Sequence, residues 1–383
     1  MKDRGPMSGI LNKESMTMKA KWLVTILFAS VLSFGGASSW AQTVKVTPLG
    51  AAAGEFCVGD RALLFEDPTG VRVLIAPGRT VNGSGDARLP VPTGPSGGVH
   101  VLLIDHPHVD HIGDVFHTTC AGAPTTAFAF PGEGNAPEIA AVHKSAVLVG
   151  GELPDFFTQK IKNVTGVAPA GCPAAGLDNT FTVPRSSPCV GVIRGGTRTA
   201  VFTGQTTGIK ITTIPAFHAA GASRTHVDEL RESDVPPGDA VVVADPGIPK
   251  GLTGYAGSET GYIIRFTNGL SVLWTGDSGL IADWETQATF YKTNLAVVHG
   301  GDLFTMGPDE AAFAVSQLIK PRSVIPEHFN QVSTTGGAVN AGTRVERFIS
   351  QLTGQSKSRV VVPLSGVTFE FDGAGNCVVG PGC

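Results

Sequence analysis

Three histidines and an aspartate fall within six residues: His106, His108, Asp110 and His111. They lie in the stretch V-H-V-L-L-I-D-H-P-H-V-D-H-I-G, from Val99 to Gly113. Imidazole and carboxylate are the donors with which proteins hold zinc and similar divalent ions. A polar loop or a hydrogen-bonded core histidine accounts for one such residue, but not for H-x-H-x-D-H directly after the apolar run Val101 to Ile104. In extended chain, residues two apart face the same way, so His106 and His108 can grip one ion. Asp110 and His111, turning into a helix, reach a neighbouring one.

Ligand-type residues return at three later points, each just past an apolar strand: Ile214-Pro215-Ala216-Phe217-His218, Val272-Leu273-Trp274-Thr275-Gly276-Asp277 and Val324-Ile325-Pro326-Glu327-His328. Each alone reads as a structural residue. In the order H-x-H-x-D-H, H, D, H they supply seven ligands, enough for two metals.

The elements that must position them follow from hydrophobic period and turn chemistry. Strands are expected near Val44–Pro48, Ala62–Glu66 and Val71–Ile75, with Asp67-Pro68-Thr69-Gly70 turning between the last two. The strand carrying the motif comes next, and then a short helix over Ile112–Thr119. The stretch from Cys120 to Gly208 is the least regular. It holds a strand at Phe128–Phe130, helices at Ala136–Lys144 and Pro154–Ile161, a strand at Ala146–Val149, and an irregular insertion around 162–208. The second half reads as strands at Ile209–Pro215, Ala240–Val243, Gly261–Phe266, Ser271–Trp274, Leu295–Val298, Ser323–Pro326, Arg359–Val362 and Val367–Phe371. Asn268-Gly269 makes a hairpin turn. Helices at Pro308–Ile319 and Thr343–Leu352 complete it. The halves are similar in outline: strands first, then strands alternating with helices.

On these motifs the chain resembles the metallo-β-lactamase-fold superfamily, and within it hydrolases similar to the ascorbate-phosphate lactonases. The branch resemblance rests on Pro215 to His218, Gly261 to Phe266, Thr275 to Gly279, Phe304 to Pro308 and Ile325 to His328, and spans Val44 to Phe371. It implies an α/β (α+β) fold, an αββα four-layer sandwich with the site along one edge. It also implies that His106, His108 and His218 hold one metal, Asp110, His111 and His328 a second, and that Asp277 bridges them. Two divalent ions, zinc with manganese or iron as alternatives, would share a hydroxide that attacks an ester, lactone or related bond in a small-molecule substrate. Asp110 would orient that water and pass on its proton. The chain departs from the family at Ala76, where an Asp commonly supports a histidine ligand, and at Asp105, where Ser or Thr is usual and which could compensate. The other five histidines, His100, His117, His143, His226 and His299, match no ligand position; His299 alone follows a buried strand near the site. β-Lactam hydrolysis, phosphoester hydrolysis and mononuclear iron oxidation remain alternative chemistries. The diiron branch of the superfamily has Glu where this chain has His108.

Composition sets the remaining bounds. The 383 residues are 42% hydrophobic and 16% charged, with net charge −4, which leaves no basic footprint for nucleic acid or anionic membrane. Lys19 and Lys21 precede an apolar stretch, Trp22 to Phe34, and Ser39-Trp40-Ala41 offers a cleavage site. Residues 1–41 therefore read as a signal peptide, leaving a hydrolase domain over 42–383 in the periplasm or outside the cell, with no stable membrane anchor. Six cysteines suit that oxidising location. Cys172 pairs naturally with Cys189 and Cys377 with Cys383, leaving Cys57 for Cys120, one of 15 arrangements six cysteines allow. Oligomeric state is not legible.

Overall fold

The computed structural model describes residues 42–94, 96–122, 125–126, 134–151, 153–218, 222–223, 253–254 and 259–383. The expected leader at 1–41, the strands at 128–130 and 240–243, and His226 lie outside them.

Two large sheets face each other. The first runs Cys377–Val379, Phe369–Phe371, Val44–Pro48, Leu63–Glu66, Arg72–Ile75, Val101–Ile104, Ala146–Val149, Cys189–Val192 and Ala170–Gly171. Its pairings are antiparallel as far as Arg72–Ile75 and parallel beyond it. The second runs Arg359–Val360, Ser323–Glu327, Leu295–His299, Ser271–Trp274, Thr260–Arg265, Gly208–Pro215, Thr197–Phe202 and Thr180–Val183. Its Ser271–Trp274, Leu295–His299 and Ser323–Glu327 strands are parallel neighbours.

Period-two alternation explains the layering. Along the fully buried Val101–Ile104 strand, Val101 and Leu103 join the core between the sheets. Leu102 and Ile104 face the other way, packing with Ile139, Phe156, Phe157 and Ile161 of helices Asn135–His143 and Pro154–Thr165. The second sheet repeats this. Val272 and Trp274 point inward, and Leu273 packs outward with Trp284, Ala311 and Phe348 from helices Asp283–Tyr291, Pro308–Phe313 and Arg344–Leu352. Helices cover both outer faces, and the result is an αββα sandwich, the architecture that the resemblance implies. The Arg344–Leu352 helix shows how such a helix is fixed: Thr343 accepts from the Glu346 amide, and Glu346 accepts from the Gly342 amide. Val345, Phe348 and Leu352 then face the core.

Two expectations change. The helix after the motif is a single turn, Val109–Ile112, because Gly113 adopts φ 80° and leaves the helix; Phe116–His117 instead pairs with Thr125–Thr126. The segment 162–208 is not irregular. It supplies Ala170–Gly171 and Cys189–Val192 to the first sheet and Thr180–Val183 and Thr197–Phe202 to the second. Its short, glycine-broken strands hide their period in the sequence. The disulfides are Cys57–Cys120, Cys172–Cys189 and Cys377–Cys383, as expected. Among the described residues no helix is long and apolar enough to cross a membrane.

Candidate metal centre

All seven candidate ligands lie just past the carboxyl ends of strands, which delivers them to one edge of the sandwich. Val101–Ile104 leads into His106 and His108, and His108 caps the turn that holds Asp110 and His111. Gly208–Pro215 delivers His218, Ser271–Trp274 delivers Asp277, and Ser323–Glu327 delivers His328. Close approach is built in locally. A Cβ on Gly78 would lie 1.7 Å from the Asp110 carbonyl oxygen, so only glycine lets the Ala76-Pro77-Gly78 turn pack against the motif helix. His328 itself sits in the left-handed region at φ 55°, an unfavourable conformation for a side-chain-bearing residue that the surrounding packing must hold.

The side chains form two groups. In the first, His106 Nε2 lies 2.9 Å from His108 Nδ1, and His218 Nε2 lies 3.3 Å from the same atom. One proton can bridge one such pair, but not three nitrogens that face one another. Burial, together with the neighbouring His106, pushes His108 down to about 4 and lowers His218 as well. Their lone pairs are therefore free at neutral pH, and a cation is the partner that suits all three. The second group gathers Asp110, His111, Asp277 and His328, with one donor atom from each within 4.8 Å of the others. His328 Nε2 is 2.9 Å from Asp277 Oδ2 and 3.5 Å from Asp110 Oδ2, yet both its ring nitrogens are buried without a well-directed hydrogen bond. The donor chemistry of both groups fits a divalent ion.

Asp277 stands between them. Its Oδ2 is 3.2 Å from His111 Nε2 and 3.8 Å from His106 Nε2, while its Oδ1 accepts from His299 Nδ1 at 2.8 Å. Burial would raise the Asp277 carboxyl, but His328 and His111 outweigh it and hold it well below the carboxylate range. Asp110 is likewise held low, because Arg61 Nη2 at 2.8 Å and His111 overcome its burial. His111 moves the other way: Asp105 and Asp277 raise it well above its ordinary value against the pull of burial.

The structure thus brings together every residue expected from the sequence: His106, His108 and His218 on one side, and Asp110, His111, His328 and Asp277 on the other. It also places residues that sequence reasoning missed. Arg61, 5% exposed, pairs with Asp110 and donates to Asn330 Oδ1 at 3.0 Å. Glu259 accepts from the Asp277 amide at 2.5 Å and lies 3.4 Å from His106 Nδ1. Burial, then the charges of Asp277 and Asp105, raise its carboxyl well above the ordinary range. His299, which the sequence did single out as following a buried strand near the site, is a buried support for Asp277, and burial pushes it down to about 4. An acid beside an apolar strand was the one sequence signal for Glu259; Arg61 carried none.

No family model matches the chain. A curated UPF0173 metal-dependent hydrolase from Cupriavidus necator is 26% identical over 91% of this chain and 99% of its own length. One from Cupriavidus taiwanensis is 27% identical over 85% of this chain and 90% of its own. Among solved structures, a metallo hydrolase from the archaeon Ignicoccus hospitalis aligns with a TM-score of 0.47 at 20% identity, covering 86% of this chain and all of that one. Likeness to metal-dependent hydrolases over most of the chain, together with the sandwich and its histidine-rich edge, supports a metallohydrolase of the metallo-β-lactamase superfamily.

Proposed function

We propose that the protein is an exported dinuclear hydrolase of small-molecule esters or lactones. His106, His108 and His218 would hold one divalent ion, Asp110, His111 and His328 a second, and Asp277 would face both. The observation that carries this reading is the position of Asp277 Oδ2, within 3.8 Å of a ring nitrogen from each group. Zinc is the ion best matched to three imidazoles, with manganese or iron as the alternatives.

When bound, a pair of such ions supplies Lewis acidity and brings a water's pKa toward neutrality. The protein's own residues do the rest. His106 and His111 lie at the buried wall, whereas His108, Asp110 and His218 are partly open and form the mouth of the site. Asp110, with a side chain 26% exposed, is the carboxylate placed to orient an attacking water through Oδ2. The Arg61 guanidinium on that same oxygen keeps Asp110 ionised and weakly basic. Its role is therefore to aim the water more than to retain its proton. His299 and Glu259 fix Asp277 from its side chain and its backbone, so the carboxylate does not swing as charge develops. Three disulfides and no free cysteine among the described residues support export.

The test is a panel of a lactone, an aryl ester, a phosphoester and a β-lactam, run on the zinc- and manganese-loaded protein with and without chelator. Lactone or ester turnover that chelation abolishes is expected. Turnover confined to the phosphoester or the β-lactam would overturn the substrate class, and turnover that survives chelation would overturn the metal role.

A further inference from the structure

We propose that Asp105 positions both ligand groups at once, doing from the motif strand what Ala76 cannot do. This rests on the ligand assignment proposed above. Asp105 Oδ1 lies 3.2 Å from His106 Nδ1 and 2.9 Å from His111 Nδ1. One carboxylate oxygen thus faces the distal nitrogen of a histidine in each group. His106 Nδ1 makes a hydrogen bond to Asp105, and His111 Nδ1 makes a close but poorly directed ion-pair contact with the same oxygen. With Nδ1 kept toward Asp105, each ring presents Nε2: His106 toward His108, and His111 toward Asp277. That is the tautomer with which these two rings could ligate through Nε2.

The arrangement is rigid. Asp105, His106, His111 and Trp274 are all fully buried, and the Trp274 indole N–H donates to Asp105 Oδ2 at 3.1 Å. The carboxylate therefore cannot rotate to serve one histidine and abandon the other. Glu259 backs the same wall, reaching His106 Nδ1 and the Asp277 amide through one oxygen. Ala76 ends the neighbouring strand, fully buried at φ 45°, and offers no acceptor beyond its backbone. Asp tolerates that left-handed conformation better than Ala does, so an acceptor can be returned there.

The consequence is coupling. Weakening the hold on one ion by changing Asp105 must weaken the other, whereas a residue serving one histidine affects one ion. The test measures zinc affinity by chelator competition, zinc equivalents by elemental analysis, and the visible ligand-field bands of the cobalt(II)-loaded protein. It compares wild type, Asp105→Asn, Asp105→Ser, and Asp105→Ser combined with Ala76→Asp, with circular dichroism confirming the fold. Wild type should hold two equivalents. Asp105→Asn and Asp105→Ser should lose about 10–100-fold in affinity for both ions, with shifted cobalt bands, and Ala76→Asp should restore part of that loss. The inference is overturned if Asp105→Asn binds both ions as wild type does, or if only one affinity falls. Three equivalents in wild type would also overturn it, since Asp105, His106 and His111 would then be ligands to a further ion. Less than one equivalent in wild type would instead remove the ligand assignment itself. If Asp105→Ser does not fold, Asp105→Asn and the double substitution decide the matter.

Discussion

The two ligand groups share one edge of the sandwich but are built from different chemistry. The group of His106, His108 and His218 holds no carboxylate, and two of its three members are partly open. The group of His111, His328, Asp110 and Asp277 holds two carboxylates, and three of its four members are buried. A divalent ion among three imidazoles that only shares Asp277 would keep more of its charge than one held beside both Asp110 and Asp277 at short range and low dielectric. On the proposed assignment, the first position would suit polarising substrate and the second would suit holding an ion tightly. Asp277 links them, so the comparison can be broken at the link, on either side, or elsewhere in the fold.

The largest effect is expected at the link. Asp277→Ala should abolish stable binding of both ions and lower turnover on the order of 10³-fold, equivalent to several kcal/mol of lost stabilisation; elemental analysis and steady-state rates check this. His218→Ala should strip only the three-histidine position, taking the protein from two ions to one and lowering turnover on the order of 10²-fold. Loss of both ions in that variant would show that the groups do not differ as described. Arg61→Met should act on the carboxylate-rich side alone. Affinity there should fall about tenfold as Asp110 loses its partner, and chelator titration should show the other position unchanged. Smallest at the site, and zero there if the account holds, is removal of the Cys172–Cys189 disulfide. Replacing both cysteines by serine opens a loop of 17-residue separation and should cost about 3 kcal/mol of stability in denaturant unfolding with metal content intact.

The same division decides how much was legible. His106, His108, Asp110 and His111 are contiguous, and an apolar strand announces them. His218, Asp277 and His328 are each a polar residue that ends an apolar run, so local pattern finds them too. The fold class came from the family resemblance that these motifs carry; the local pattern showed only strands regrouping with helices in each half. What local pattern cannot show is which side chains meet across elements. Arg61 reaches Asp110 from a loop 49 positions earlier, and Glu259 meets His106 where the next residue, Thr260, donates its amide and hydroxyl to the Asp105 carbonyl. Asp105 was legible as a departure from the family. Its contact with two histidines depends on how the chain turns between Ile104 and the Val109–Ile112 helical turn, which brings His111 back to Asp105. The 162–208 segment failed for a related reason: its short strands draw their partners from both sheets, which leaves no sustained alternation to read.

The most direct test of the central claim is a zinc titration of metal-free protein, followed by elemental analysis of the dialysed product. Two equivalents should bind in two resolved steps, the tighter one retained by His218→Ala and lost in His328→Ala. A single equivalent that either variant retains would contradict that claim.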